Sequence, residues 1–230
     1  DINGVEVLER LGVDAFKIAS SEITDTPLIE RAAQTNKSII FSCGGAYLSD
    51  IDKTLRLIHS VGNHNVAMLH CLYTYPTPLE NCNLNFISTL KYAYPNTIIG
   101  YSDHTKDPIK APITAVILGA KIIEKHFTLD KTLPGADHSF SLNPNELKEM
   151  CCEIRKVEQL SKEEQEKYIC KEALGTSGRL LYQPEKEERE YSYRKIFAIS
   201  NIQEGELLTT QNIDVLRPAE LNGGISPDYY

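Results

Sequence analysis

From residue 4 to about residue 160, five short apolar, β-rich runs alternate with helical stretches, which restricts the chain to successive β/α units around a parallel sheet. The runs are Ala15-Phe16-Lys17-Ile18-Ala19, Ser38-Ile39-Ile40-Phe41, Asn65 to His70, Thr97 to Tyr101 and Ala120 to His126. Helices are expected at Val5 to Leu11, closed by Gly12, and at Pro27 to Ala33 behind a cap region at Thr24 to Thr26. Further helices are expected at about Ser49 to His59, Leu84 to Ala93, Ala111 to Leu118 and Pro144 to Gln159.

Each run ends in a polar cluster: Ser20-Ser21-Glu22, Ser42-Cys43-Gly44, His70-Cys71, Ser102-Asp103-His104 and His126-Phe127-Thr128. A doubly wound sheet concentrates its site at one switch point. A (β/α)8 barrel draws on the C-terminal ends of all its strands, so five polar strand ends favour the barrel. Five strands cannot close one, and at ~250 residues for eight units the reading is an N-terminally truncated barrel, the last five β/α units, with three expected upstream. An opening Asp1 in place of Met agrees with a fragment.

The second part of the chain changes character. Residues 161–191 are charged and polar, including Glu185-Lys186-Glu187-Glu188-Arg189-Glu190, and read as a solvated linker or loose helix. A small unit then starts with a strand at Arg194 to Ile199, a turn at Ile202 to Glu206, a short helical piece at Thr210 to Ile213 and a Gly223-Gly224 loop. The domains are therefore 1–160, 161–191 and 192–230, and the last is too short to be stable alone.

Composition excludes several classes. With 24 basic and 32 acidic residues the net charge is −8, so no basic stripe is available to neutralise nucleic-acid phosphates. No run approaches the ~20 apolar residues of a membrane span, and the N-terminus lacks a signal pattern. Cys43, Cys71, Cys82, Cys151, Cys152 and Cys170 form no CxxC pair, so they read as free thiols of a reducing, cytoplasmic protein. Neither a GxGxxG nor a Walker loop occurs.

Several residues could carry chemistry. His104 and His126 end the fourth and fifth strands, adjacent staves of a barrel, and could converge on one Mn²⁺, Zn²⁺, Co²⁺ or Fe²⁺ ion. Hydrogen-bonded core histidines would produce the same spacing. Lys17 interrupts an apolar strand, and needs an anion if it faces a barrel interior, or a helix carboxylate if it faces outward. Ser42 with Gly44-Gly45, and Ser102, could donate to the same anion or be ordinary turn residues. Asp103 and Glu124 flank the histidines and Asp137 follows a turn; each could orient an imidazole, bind hydroxyls or move a proton. His70, His138 and Tyr75 are further rim candidates, while His59 and His64 fall in a helix and a turn.

Lys17-Ile18-Ala19-Ser20-Ser21-Glu22-Ile23-Thr24, His70-Cys71 with Tyr75-Pro76, Gly100 to Thr105 and Ile123 to Asp130 together resemble the sialic acid synthase family, which makes N-acetylneuraminate and related nonulosonic acids. Residues 192–230, with Arg217-Pro218 and Gly224-Ile225-Ser226-Pro227, look like the start of that family's antifreeze-protein-like (SAF) domain. The resemblance implies condensation of phosphoenolpyruvate with open-chain N-acetylmannosamine, giving N-acetylneuraminate and phosphate. It implies His104 and His126 as ligands of a divalent metal, Mn²⁺ first and Mg²⁺ or Co²⁺ as substitutes. It also implies Lys17, Ser20, Ser42 and Ser102 around phosphoenolpyruvate, Glu22 near the reacting centre, and Tyr75 and Asp137 on the sugar side. Arg217 would reach the partner subunit's site in a domain-swapped homodimer.

This chain departs from the family pattern at Cys43, at Leu72-Tyr73 and at Gly135-Ala136-Asp137. Bulk at Tyr73 would alter sugar choice, which keeps pseudaminic or legionaminic acid synthesis open. With barrel strands expected upstream, residues 1–230 are expected to be inactive alone. A class II metal-dependent aldolase and a non-catalytic sugar-binding module are the more distant alternatives.

Overall fold

The computed structural model describes residues 1–218 and 223–230; part of the 192–230 domain expected from the sequence thus falls outside the described residues. In chain order the elements are α1 (Ile2–Arg10), β1 (Ala15–Ile18), α2 (Thr26–Gln34), β2 (Ser38–Ser42), α3 (Leu48–Ser60), β3 (Val66–Cys71), α4 (Asn85–Ala93), β4 (Ile98–Asp103), α5 (Lys110–Ile117), β5 (Ile123–Lys125), α6 (Pro144–Glu158), α7 (Lys162–Gln165), α8 (Gln183–Ser192), β6 (Lys195–Ala198) and β7 (Ile213–Leu216). The first five strands form one sheet in the order β1-β2-β3-β4-β5. Pairing is parallel for β1–β2, β3–β4 and β4–β5. A doubly wound sheet reverses its strand order at the switch point, whereas consecutive staves of a barrel keep chain order, as these do.

The chain divides into two compact units. One comprises residues 1–41, 45–66 and 186–230, and the other residues 42–44 and 67–185. In the first, α1 starts earlier than expected because the Asp1 side chain accepts from Gly4 N–H at 2.7 Å and caps it. Asp25 caps α2 in the same way, accepting from Leu28 N–H at 3.2 Å with Pro27 in the first turn. Along β1, Phe16 and Ile18 are buried and Lys17 is exposed, as period-two alternation requires. The buried faces of α2 (Ile29, Ala32, Ala33) and α3 (Ile51, Leu55, Ile58) supply the apolar core here. β6 and β7 pair antiparallel, with Ile196 opposite Val215. The expected helical piece at Thr210 to Ile213 is instead a turn, in which the Asn212 side chain accepts from Thr209 N–H at 2.8 Å, and β7 begins at Ile213.

The second unit packs α5 and α6 around Ile113, Leu142, Met150, Ile154 and Val157, with Ile123 of β5 against this cluster. Residues 161–191, read from their charge as a solvated linker or loose helix, are mostly exposed but are tied down at particular points. Within this unit the Asn83 side chain donates to Gly178 O at 2.8 Å and accepts from Thr176 N–H at 2.6 Å. Leu84 and Asn85 N–H donate to Ala173 O and Leu174 O at 3.0 and 2.9 Å. Glu185, inside the charge run, is completely buried and paired with Arg179. Among the described residues no helix is long and apolar enough to cross a membrane.

Candidate active site

Register decides which strand residues share a face. Cys71, Ser102 and Glu124 are in-register partners across β3, β4 and β5, so they form one row. Tyr101 and Ile123 form the alternate row, and Ile123 faces the helical core. The row of Cys71, Ser102 and Glu124 therefore lies on the face turned away from the helices. Gly100 shares that face, where a Cβ would meet Leu69 Cδ2 at 2.4 Å and Ile122 O at 2.6 Å. One alternation beyond Ser102 and Glu124 come His104 and His126, whose ring centroids are 5.2 Å apart.

Other groups complete this cluster. Tyr75, from the loop after β3, lies with its ring centroid 4.2 Å from His104 and 5.9 Å from His126, and Phe140 closes on His126 at 5.0 Å. Ser102 Oγ donates to Glu124 Oε1 at 2.7 Å. His104 Nδ1 is 2.7 Å from Leu72 O. A carbonyl only accepts, so the proton resides on Nδ1 and Nε2 keeps its lone pair. Burial pushes the His104 pKa down, against the smaller opposing effect of the Leu72 carbonyl. His126 is also lowered, first by burial and then by His104, with Asp137 and Glu124 opposing. Asp137 Oδ2 lies 3.6 Å from His126 Nδ1, near enough to influence the ring without a direct hydrogen bond.

The two imidazoles are thus neutral donors at one place. Among the described residues no group of three or more His, Cys, Asp or Glu side chains could hold a metal ion. An ion here would take two nitrogens from the protein and the rest of its shell from water or substrate. The Nδ1–H to carbonyl bond of His104 is the arrangement that metal-binding histidines use to expose the other nitrogen.

Two expectations change. Asp103 does not stand at the histidine pair, because it shares a register position with Lys125 rather than with Glu124. Its carboxylate accepts from Lys125 Nζ at 2.6 Å, Thr105 N–H at 2.8 Å, Thr105 Oγ1 at 3.1 Å and Tyr101 OH at 3.2 Å, with 0% of the side chain exposed. His70 is a core residue, not a rim one: its Nε2 lies 2.8 Å from Cys82 O and its ring stacks on Tyr101 at 5.8 Å. Burial, helped by Arg179, brings its pKa down to about 3. His138 pairs through Nδ1 with Thr128 Oγ1 at 2.7 Å. Ser42 and Cys43 belong to this same unit, where the Cys43 thiol donates to Leu69 O at 3.1 Å and is pushed by burial to about 12.

The remaining candidates lie in the first unit. Lys17 is exposed and donates to Ile18 O at 3.1 Å, while Ser20 is buried. Glu22 accepts a two-pronged contact from Arg194, Nε to Oε2 at 2.7 Å and NH2 to Oε1 at 3.2 Å. Arg217 of the same chain approaches Glu22 Oε1 and Ser21 Oγ at 3.4 Å each. Arg194 was legible in the sequence only as the start of a strand. A cavity of about 570 Å³ in this unit, lined by Thr24, Asp50, Lys53, Arg189 and Asp228 among others, has its main charges paired. Arg189 meets Asp50 at 3.0 Å and Lys53 meets Asp228 at 2.6 Å.

Comparison with known proteins supports the synthase resemblance. The NeuB family model matches residues 1–166. The chain is 45% identical over 230 residues to the spore coat polysaccharide biosynthesis protein SpsE of Bacillus subtilis, covering 100% of this chain and 62% of that protein. It matches the SpsE crystal structure with a TM-score of 0.95, over 100% of this chain and 64% of that one. It is 37% identical over 232 residues to the N,N'-diacetyllegionaminic acid synthase of Campylobacter jejuni, covering 100% of this chain and 64% of the relative. A sialic acid synthetase structure from Leptospira borgpetersenii, in complex with citrate, matches at 36% identity with a TM-score of 0.63, over 83% of this chain and 61% of that one. The chain spans less than two thirds of the length of these proteins.

Proposed function

Because the chain belongs to the NeuB family, we propose that it supplies the catalytic strand ends of a nonulosonic acid synthase. The reaction joins phosphoenolpyruvate to the open-chain aldehyde of an N-acetylated amino sugar. A C–C bond forms between the enol carbon and the aldehyde carbon, water adds to the former enol C2, and the C–O bond to phosphate breaks. The observation that carries this reading is the convergence of two neutral histidines above the Ser102–Glu124 pair, with Tyr75 against one ring.

A divalent ion on His104 and His126, Mn²⁺ first and Mg²⁺ or Co²⁺ as substitutes, would polarise the aldehyde oxygen. The chain's own residues do the rest. Tyr75 packs on the buried His104 ring and Phe140 on the His126 ring, and together they give an apolar face to the sugar. Ser102 Oγ donates to Glu124, and turning that hydroxyl toward phosphoenolpyruvate would let it donate to the anion. Asp137, largely exposed beside His126, is placed to accept from sugar hydroxyls. Lys17, Ser20 and Ser42 are assigned to phosphoenolpyruvate and Glu22 to the reacting centre. Arg217 is assigned to the N-acetyl group in a domain-swapped homodimer, with residues 192–230 as the start of a SAF domain. The setting is the cytoplasm, where phosphoenolpyruvate is available.

N-Acetylmannosamine is the first aldehyde to test. The likeness to a diacetyllegionaminic acid synthase, and bulk at Tyr73, support a diacetamido sugar as the second reading. The test is phosphate release from phosphoenolpyruvate by the intact protein with each sugar and Mn²⁺, with and without a chelator. Sugar-dependent, chelator-sensitive release is expected. Absence of release with every N-acetylated amino sugar would overturn the assignment.

A further inference from the structure

Glu185 lies in a run of charged residues that would ordinarily be solvated, yet its carboxylate is completely buried. It accepts from Tyr73 N–H at 3.0 Å, from the Arg179 guanidinium at 3.2 Å and from Tyr182 N–H at 3.4 Å. Arg179 is itself only 4% exposed and donates onward to Cys43 O at 3.3 Å and Leu180 O at 3.1 Å. Burying such a pair carries a desolvation cost that an apolar side chain would avoid, so its retention suggests a specific task.

The Tyr73 N–H and the Leu72 C=O belong to one peptide group. That carbonyl accepts from His104 Nδ1 at 2.7 Å. A peptide group is planar, so fixing the N–H at one end fixes the direction of the C=O at the other. A charged acceptor on the N–H also polarises the carbonyl and strengthens it as an acceptor. We propose that Glu185, held by Arg179, is a positioning residue for His104: acting through the Leu72–Tyr73 peptide, it holds the imidazole as the Nδ1–H tautomer and presents Nε2 as the free donor atom. The consequence for metal or substrate binding rests on the synthase reading; the tautomer relay does not.

The test is nuclear magnetic resonance on the intact, metal-free protein with ¹⁵N-labelled histidine rings, at a pH where the imidazole is neutral. Long-range proton–nitrogen correlations distinguish the two tautomers, and the Tyr73 amide proton is followed in the same sample. In the wild type His104 is expected as a single Nδ1–H tautomer. Glu185→Gln keeps an acceptor for Tyr73 but removes its charge, so the Tyr73 amide and His104 Nδ1 protons should both move upfield with the tautomer retained. Glu185→Ala should give a mixture of tautomers; if that variant does not fold, Glu185→Gln alone decides. A Tyr73 amide that moves in Glu185→Gln while the His104 Nδ1 proton stays in place would overturn the relay, as would an Nε2–H tautomer in the wild type. A relay that behaves as expected in a protein that releases no phosphate would leave this proposal standing and remove the synthase reading.

Discussion

Replacing Lys125 by Met tests how strongly the ion pair beneath the histidine loop supports it. Lys125 and Asp103 are 2% and 0% exposed, with Nζ 2.6 Å from Oδ2, so neither charge is solvated. Removing one member of a buried pair costs on the order of 3–5 kcal/mol, because the survivor keeps an uncompensated charge. Asp103 would retain the bonds from Thr105 N–H, Thr105 Oγ1 and Tyr101 OH, which places the loss near the lower end, at about 3 kcal/mol. Asp103→Asn in the same background removes the stranded charge, and the double variant should be more stable than Lys125→Met alone by roughly 1–2 kcal/mol. The assay is urea unfolding followed by circular dichroism on the intact protein. With a slope of about 2 kcal/mol per molar urea, the Lys125→Met midpoint should fall by about 1.5 M. A fall under about 0.5 M, or simple additivity of the two substitutions, would refute the claim that these charges support each other in a dry site.

Three further outcomes follow from the geometry. Gly100→Ala forces a Cβ against Leu69 Cδ2 and the fixed carbonyl of Ile122, so a loss of roughly 1–3 kcal/mol is expected in thermal unfolding; an unchanged midpoint would contradict the close approach. His70 resists protonation in the fold down to a pH of about 3, whereas the unfolded chain takes up the proton near 6.5. Stability should therefore fall as pH drops from about 6.5 toward 3, by up to about 1.4 kcal/mol per pH unit from this residue. His70→Asn should flatten that part of the stability curve, and an identical slope in the variant would rule out a neutral buried imidazole. His126→Ala, at a partly exposed position, should abolish metal-supported phosphate release while shifting the unfolding midpoint little; undiminished release would remove His126 from the proposed ion site.

Much of the barrel-like order was readable from local pattern. Apolar runs bounded by polar clusters located all five sheet strands to within a few residues, because period-two burial and helix caps are properties of near neighbours. Spacing of two also places Ser102 with His104 and Glu124 with His126, and the structure brings those four to one face and its rim. Asp103 shows where adjacency misleads: next to His104 in the chain, it points the opposite way and meets Lys125. His70 shows the same for a strand-end polar residue that belongs to the core.

What the sequence determined by itself was the alternation of strands and helices, the faces within each strand and the residue types available at the strand ends. Only the tertiary structure decided that a charged run would send Glu185 into a buried pair with Arg179 and onto the Tyr73 amide, 112 residues earlier in the chain. The physical reason is that alternation and capping are set by neighbours along the chain. The destination of a long, charged side chain depends on which distant backbone donors remain unsatisfied once the strands have been stacked.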